Sequence, residues 1–339
     1  MKVAIVGCGD IGLRTSKLLV DGGHSVLGVR RDSSQLPDWI ERVSADVTQP
    51  ESLAILSQGK FDVVIYCLAA AGFNEAAYRS AYVTGLTNTL DALGCSVPDI
   101  GVSDNRVTDN QTPDNRTLDS TPTLRRFIFV SSTSVYHQND GSIVDENSAT
   151  NPVRFNGQLV LEGERQVRDL SIGTVVRFSG IYGSGRTRMI DRVKNGVRAD
   201  PDDSGYTNRI HVDDCAGVLA HLVSLVDSEN AVHGNVEQGS TVKSLYLASD
   251  STPCTRVELE TFLAKELGNT TDESASRSGS VQTAAANPGL SIDPATAKSG
   301  KRIAGSKRCS NARLLDSGYR FRYPDYISGY RQVLADLER

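Results

Sequence analysis

Lys2-Val3-Ala4-Ile5-Val6-Gly7-Cys8-Gly9-Asp10-Ile11-Gly12 stands at the head of the chain, and its reading decides the fold. The β-branched run from Lys2 to Val6 predicts a strand. Leu13, Leu18 and Val20 behind it fit the apolar stripe of a helix closed by Gly22 and Gly23. Between the two lies a G-x-G-x-x-G turn whose glycines serve separate ends. Gly7 permits the tight bend, Gly9 lets backbone amides approach a pyrophosphate without an intervening Cβ, and Gly12 lets helix and strand pack closely. The helix N-terminus contributes partial positive charge. A Gly-rich turn can also be simply a turn. Its position between a first strand and a first helix predicts a dinucleotide loop made of Gly7, Cys8, Gly9, Asp10, Ile11 and Gly12.

Outward from this turn, strands and helices alternate. Ser25 to Arg30, Arg42 to Val47, Val63 to Cys67, Phe127 to Val130 and Thr174 to Phe178 read as further strands. Pro50 is placed to begin a helix carrying Leu53, Ile55 and Leu56. Tyr78, Tyr82, Leu86, Leu90 and Leu93 recur at helical spacing between Asn74 and Gly94. The unbroken apolar run at Val63 suits a strand buried on both faces by crossover helices. This alternation predicts an α/β fold, a Rossmann-type doubly wound parallel sheet whose ligand crevice lies beyond the carboxyl ends of its strands. Residues 1–185 form that expected domain. Residues 186–339 read as a smaller α+β substrate lobe, with helices near Met189 to Asn195 and Asp214 to Val226, a strand near Ser244 to Ala248, and a helix started by the capping box of Thr255 and Glu258.

Composition narrows the partners. The 339 residues are 39% apolar and 23% charged, as in a soluble globular chain, and the formal net charge is −5. No basic face announces nucleic acid, and no apolar run approaches the roughly 18 residues of a membrane span. Without a leader pattern at the start, a cytoplasmic location is expected. The six cysteines are scattered, so no metal site is expected and reduced thiols are the simpler reading. Residues 96–123 and 268–302 contain no aromatic side chain and read as polar, disordered insertions. The first carries a five-residue repeat, Asp104-Asn105, Asp109-Asn110, Asp114-Asn115 and Asp119-Ser120. It lacks the Asp-x-Asp spacing and closing Glu that calcium would require.

At the end of the second strand an acid would receive the ribose hydroxyls of NAD, whereas Arg30 and Arg31 stand there, with Asp32 one place later. Arginine suits the extra phosphate of NADP, so NADP is favoured over NAD. Asp46 and Val47 close the third strand near the expected adenine. Leu68, Ala69 and the residues to Ala71 close the fourth near the phosphates or ribose.

These pieces, in order, resemble an extended short-chain dehydrogenase/reductase of the NAD-dependent epimerase/dehydratase type. The matching segments are Gly7 to Gly12, Asp46-Val47, Val130 to Tyr136, Asp145-Glu146, Arg177, Ile181-Tyr182-Gly183 and Arg209 to Asp214. The resemblance covers most of the chain outside the insertions. It implies hydride transfer on a small polar, carbohydrate-like substrate, a homodimer, and catalysis by a Ser or Thr, a Tyr and a Lys. Ser132 matches the Ser. Aligned helices place Asn156 where the Tyr belongs and Val160 where the Lys belongs, and the pattern departs here. No Lys occurs between Lys60 and Lys194, and no Tyr is followed four residues later by Lys. The resemblance is therefore to atypical members.

Tyr136, with His137, is the replacement candidate for proton transfer beside Ser132. Its alternative is a packing role. Arg177, Tyr182 and Arg186 are candidate substrate contacts, with Arg188 and Arg209 as further cations. His211, Asp213 and Asp214 read as the start of a packing helix and not as a metal trio. The expected function is an NAD(P)-binding oxidoreductase or epimerase-like enzyme. The rival is an inactive NADP-sensing or interaction protein.

Overall fold

The structure, a computed structural model, describes residues 1–95, 124–231, 242–268 and 306–338. The two polar insertions, Gly268 apart, lie outside the described residues, and so does the Asp-Asn repeat.

The opening strand β1 (Lys2–Val6) feeds α1 (Asp10–Asp21), then β2 (Ser25–Arg30) and β3 (Glu41–Ser44). Pro50–Leu53 makes a 3-10 turn into α2 (Ala54–Gln58), before β4 (Val63–Tyr66). The expected single helix after β4 is broken. It runs as α3 (Glu75–Arg79), a π-helical turn at Ser80–Thr84, and α4 (Gly85–Ala92). There follow β5 (Arg126–Ser132), β6 (Ile143–Val144), α5 (Phe155–Arg168), β7 (Gly173–Phe178) and β8 (Gly180–Tyr182). Next come α6 (Arg188–Lys194), β9 (Tyr206–Thr207), β10 (Arg209–His211) and α7 (Val212–Ala231). The remaining elements are β11 (Leu245–Ala248), β12 (Cys254–Thr255), α8 (Arg256–Glu266), β13 (Arg308–Cys309), α9 (Ala312–Asp316) and α10 (Tyr326–Leu337).

Seven strands form one parallel sheet in the order β11-β7-β5-β4-β1-β2-β3. The chain reverses its direction of winding between β1 and β4, and that switch point is where such sheets hold ligands. Because side chains alternate across a strand, Val3 and Ile5 enter one apolar layer with α1 and α7, while Ala4 and Val6 enter the other with α2, α4 and α5. The strand expected near Ser244 in the substrate lobe is instead the seventh strand of this sheet, paired with β7. Its open side is closed by side chains. Glu146 accepts the Leu247 N–H at 2.8 Å, and Arg313 donates to the Leu245 carbonyl at 3.2 Å. A separate cluster around Tyr182, Ile190, Leu259 and Tyr330 joins α6, α8 and α10. No helix among the described residues is long and apolar enough to cross a membrane.

Candidate cofactor and substrate site

Gly7 has φ +82°, and the amides of Gly7 and Cys8 both donate to the Val29 carbonyl at 3.0 Å, which holds the turn against β2. A Cβ on Gly7 would lie 2.5 Å from Leu68 Cδ1, and one on Gly12 would lie 3.1 Å from Ile5 Cγ2. Packing alone therefore accounts for these two glycines. Gly9 differs: a Cβ there would meet only the Gly7 carbonyl, at 3.9 Å. Gly9 is among the residues that line a cavity of about 810 Å3.

Most of the sequence-predicted residues line that cavity, whereas Cys8, Asp10, Ile11 and Gly12 of the loop do not, Cys8 and Ile11 being buried in the core. Gly7 and Gly9, Arg30 and Arg31, Asp46 and Val47, and Leu68 and Ala69 all line it, as does Ala71. Neither Arg30 nor Arg31 forms an ion pair among the described residues. The Asp32 carboxylate is committed to the next turn, accepting from Ser34 N at 3.0 Å and Ser34 Oγ at 2.6 Å. These bonds hold its pKa below the usual carboxylate range. Asp46 accepts from Thr48 N and Thr48 Oγ and is lowered in the same way. Sequence reasoning missed the far wall, Ala77, Ser80 and Ala81, which comes from the π-helical turn and the helix before it. The buried Tyr66 hydroxyl donates to the Ala81 carbonyl at 2.6 Å and fixes that wall. Tyr66 stood in an apolar strand, and nothing local to it signalled this contact.

At the carboxyl end of β5, Ser132 Oγ accepts from Ser134 N at 3.1 Å, and its proton has no acceptor among the described residues. Asn156 lies in the first turn of α5, with a buried Oδ1 that has no partner there either. Val160, one turn on, is 1% exposed and packs with Val135 and Leu247.

Tyr136 and Arg177 are brought together, but onto each other. Arg177 is 1% exposed and forms a two-pronged pair with Glu164, at 2.8 and 2.6 Å. Ser131 Oγ donates to the same carboxylate at 2.5 Å. Arg177 also donates to the Tyr136 hydroxyl at 2.9 Å, and that hydroxyl donates to the Asp145 carbonyl at 2.6 Å. Both hydrogen-bonding directions of Tyr136 are thus in use, and burial pushes its pKa up to about 12. Instead of a substrate contact, Arg177 is the cation of a buried pair. The reason is energetic: a guanidinium inside a core demands a carboxylate.

Tyr182 is also buried. It stacks on Tyr330 with ring centroids 4.2 Å apart, and its hydroxyl meets α10 where Gly329 leaves room. Arg186 reaches the first residue of α1, with Nη2 3.1 Å from Asp10 Oδ2. Arg188 and Arg209 form no side-chain hydrogen bond or ion pair among the described residues, and the Arg209 Nε is buried. Asp250 is fully buried, its amide donates to the Arg209 carbonyl at 2.7 Å, and one of its carboxylate oxygens has no partner among the described residues. Burial raises its pKa to about 8. Asp214 anchors the chain's tail by accepting from Tyr319 Oη and from the amides of Arg322 and Tyr323. That is a packing role, as expected for this segment.

Comparisons with known proteins agree with the geometry. A Methylobacillus flagellatus structure described as an NAD-dependent epimerase/dehydratase is 32% identical, with a TM-score of 0.70 over 100% of this chain and 99% of that one. The Bacillus cereus UDP-glucuronic acid 4-epimerase in complex with NAD is 15% identical, with a TM-score of 0.63 and full coverage of both chains. A Thermotoga maritima UDP-glucose 4-epimerase with UDP-glucose is 14% identical, with a TM-score of 0.66 over 100% and 99%. No curated protein matches. Residues 3–234 match the model of one family, and the chain belongs to it: the NAD dependent epimerase/dehydratase family.

Proposed function

We propose that this protein binds a nicotinamide dinucleotide, NADP in preference to NAD, and acts on a small polar substrate of the nucleotide-sugar type. The observation that carries the cofactor reading is the open side of Gly9. Packing places no demand for glycine there, whereas a diphosphate approaching the N-terminus of α1 does. Arg30 and Arg31, on the cavity wall and without an ion pair among the described residues, suit an additional phosphate on the adenosine ribose.

A bound nicotinamide would supply reversible hydride transfer, which serves oxidation or, with return of the hydride, epimerisation. The chain's own part is positioning. Ser132 offers a hydroxyl proton to a substrate oxygen at the sheet's carboxyl edge. Arg209 presents an unshared positive charge to an anionic group of the substrate, with Gly180 leaving space beside its Nη1. Asn156 and Val160 replace the usual Tyr and Lys. Loss of a placed proton donor lowers rates by about 10²–10⁴-fold, so turnover should be slow.

Two titrations and one assay test this. NADP should bind more tightly than NAD by calorimetry, and Arg30→Ala with Arg31→Ala should erase the preference. A panel of UDP-sugars, followed by nicotinamide absorbance and by chromatography of product isomers, should reveal conversion that Ser132→Ala reduces. Failure of both dinucleotides to bind at millimolar concentration refutes the proposal. The buried Val160 and the doubly committed Tyr136 favour one second reading, a cofactor sensor without turnover. Tight binding with no conversion of any sugar would select it.

A further inference from the structure

We infer that Arg186 masks the charge of Asp10 and thereby sets how tightly the glycine loop holds a diphosphate, an inference that rests on the cofactor reading above. Asp10 is the first residue of α1. A carboxylate there suits the helix dipole, but the same helix end is where a diphosphate would sit, so the two anions repel. Arg14 cannot cancel Asp10 alone. Its Nε lies 2.8 Å from Asp10 Oδ1, while its Nη1 lies 2.6 Å from Asp213 Oδ1, so one cation serves two carboxylates. Arg322 reaches Asp213 only at 3.7 Å and is 71% exposed. His211, beside Asp213, is held neutral by burial. The cation that completes the balance at Asp10 is Arg186.

Its presentation is built. Arg186 ends a tight turn directly after β8, in which its amide donates to the Gly183 carbonyl at 2.9 Å. Gly183 and Gly185 have φ +139° and +77°, conformations that other residues adopt only under strain. Gly183 also packs on Val212, where a Cβ would come within 2.6 Å of Cγ1. The arginine is thus held from β8 and the start of α7 over the first turn of α1.

The test is a double-mutant cycle read by titration of NAD and NADP into wild type, Arg186→Gln, Asp10→Asn and the double variant. Masking predicts that Arg186→Gln weakens both dinucleotides about tenfold, the scale of one unshielded charge several ångströms from the diphosphate. Asp10→Asn should remove most of that loss, bringing the double variant to within about threefold of Asp10→Asn alone, and Arg186→Lys should restore binding. Adenosine, which has no phosphate, should bind all variants equally, showing that the cavity keeps its shape. The loss should shrink as salt rises. An Arg186→Gln variant that binds like wild type overturns the inference, and so does a loss that persists undiminished beside Asp10→Asn. In either case wild-type binding would leave the cofactor reading standing. Absence of binding by wild type would remove both.

Discussion

Glu164 shows how much one side chain can decide. It is fully buried on α5 and is matched to Arg177 and Ser131. Glu164→Gln would leave the guanidinium uncompensated in the core, and breaking one partner of a buried pair costs about 3–5 kcal/mol. Urea unfolding should show a loss of that order, with the midpoint shifted and the slope unchanged; a variant as stable as wild type would mean that the pair is not needed. At this scale the glycine turn and the cavity beside it were legible. Gly7, Gly9, Arg30, Arg31, Asp46, Val47, Leu68 and Ala69 all reach one cavity, because a strand followed by a glycine turn fixes where strand ends lie. Tyr136 and Arg177 were not legible as a pair. Their meeting depends on a carboxylate from α5, a tertiary fact with no local spacing to betray it.

Among elements, α10 makes the clearest prediction. Gly→Ala in a helix interior is ordinarily stabilising by about 1 kcal/mol. At Gly329 the sign should reverse, since an added Cβ would fall on the Tyr182 hydroxyl and push α10 off the Tyr182–Tyr330 stack. Overpacking of this kind costs about 1–3 kcal/mol, and thermal unfolding of Gly329→Ala should report a lowered midpoint. Gly185→Ala, in a turn with open space around it, serves as the comparison for backbone strain alone. Local signals served well where an element is specified by its own residues. The Thr255–Glu258 capping box is present, with both reciprocal bonds. They served less well for neighbours: the pattern at Ser244 announced a strand but not its partner, because pairing depends on residues far along the chain. The helix after Asn74 was expected to run unbroken, and the π-helical turn at Ser80 left no periodic trace.

For the whole molecule, pH should be a sensitive variable. Asp250 is raised from 3.8 to about 8 by burial. Between those values the folded chain keeps a proton that the unfolded chain has lost. Stability from this group is therefore full below about pH 4, falls as pH rises toward 8, and is level beyond, with a slope of at most about 1.4 kcal/mol per pH unit. His211 acts oppositely: burial lowers it from 6.5 to about 4, so its contribution is present above 6.5 and is lost as pH falls. Urea midpoints measured from pH 5 to 8 should show Asp250→Asn flattening the alkaline decline while leaving the acid side governed by His211. An unaltered decline in that variant would assign it to other groups.

The arrangement around β11 reaches beyond this single chain. A bare outer strand invites another molecule's backbone to zip alongside it, which is how sheets lengthen into fibrils. With Glu146 and Arg313 already occupying the Leu247 amide and the Leu245 carbonyl, that docking line is spoken for. Concentrated solutions of the folded protein should then resist growth from this rim, and any self-association must use other surfaces.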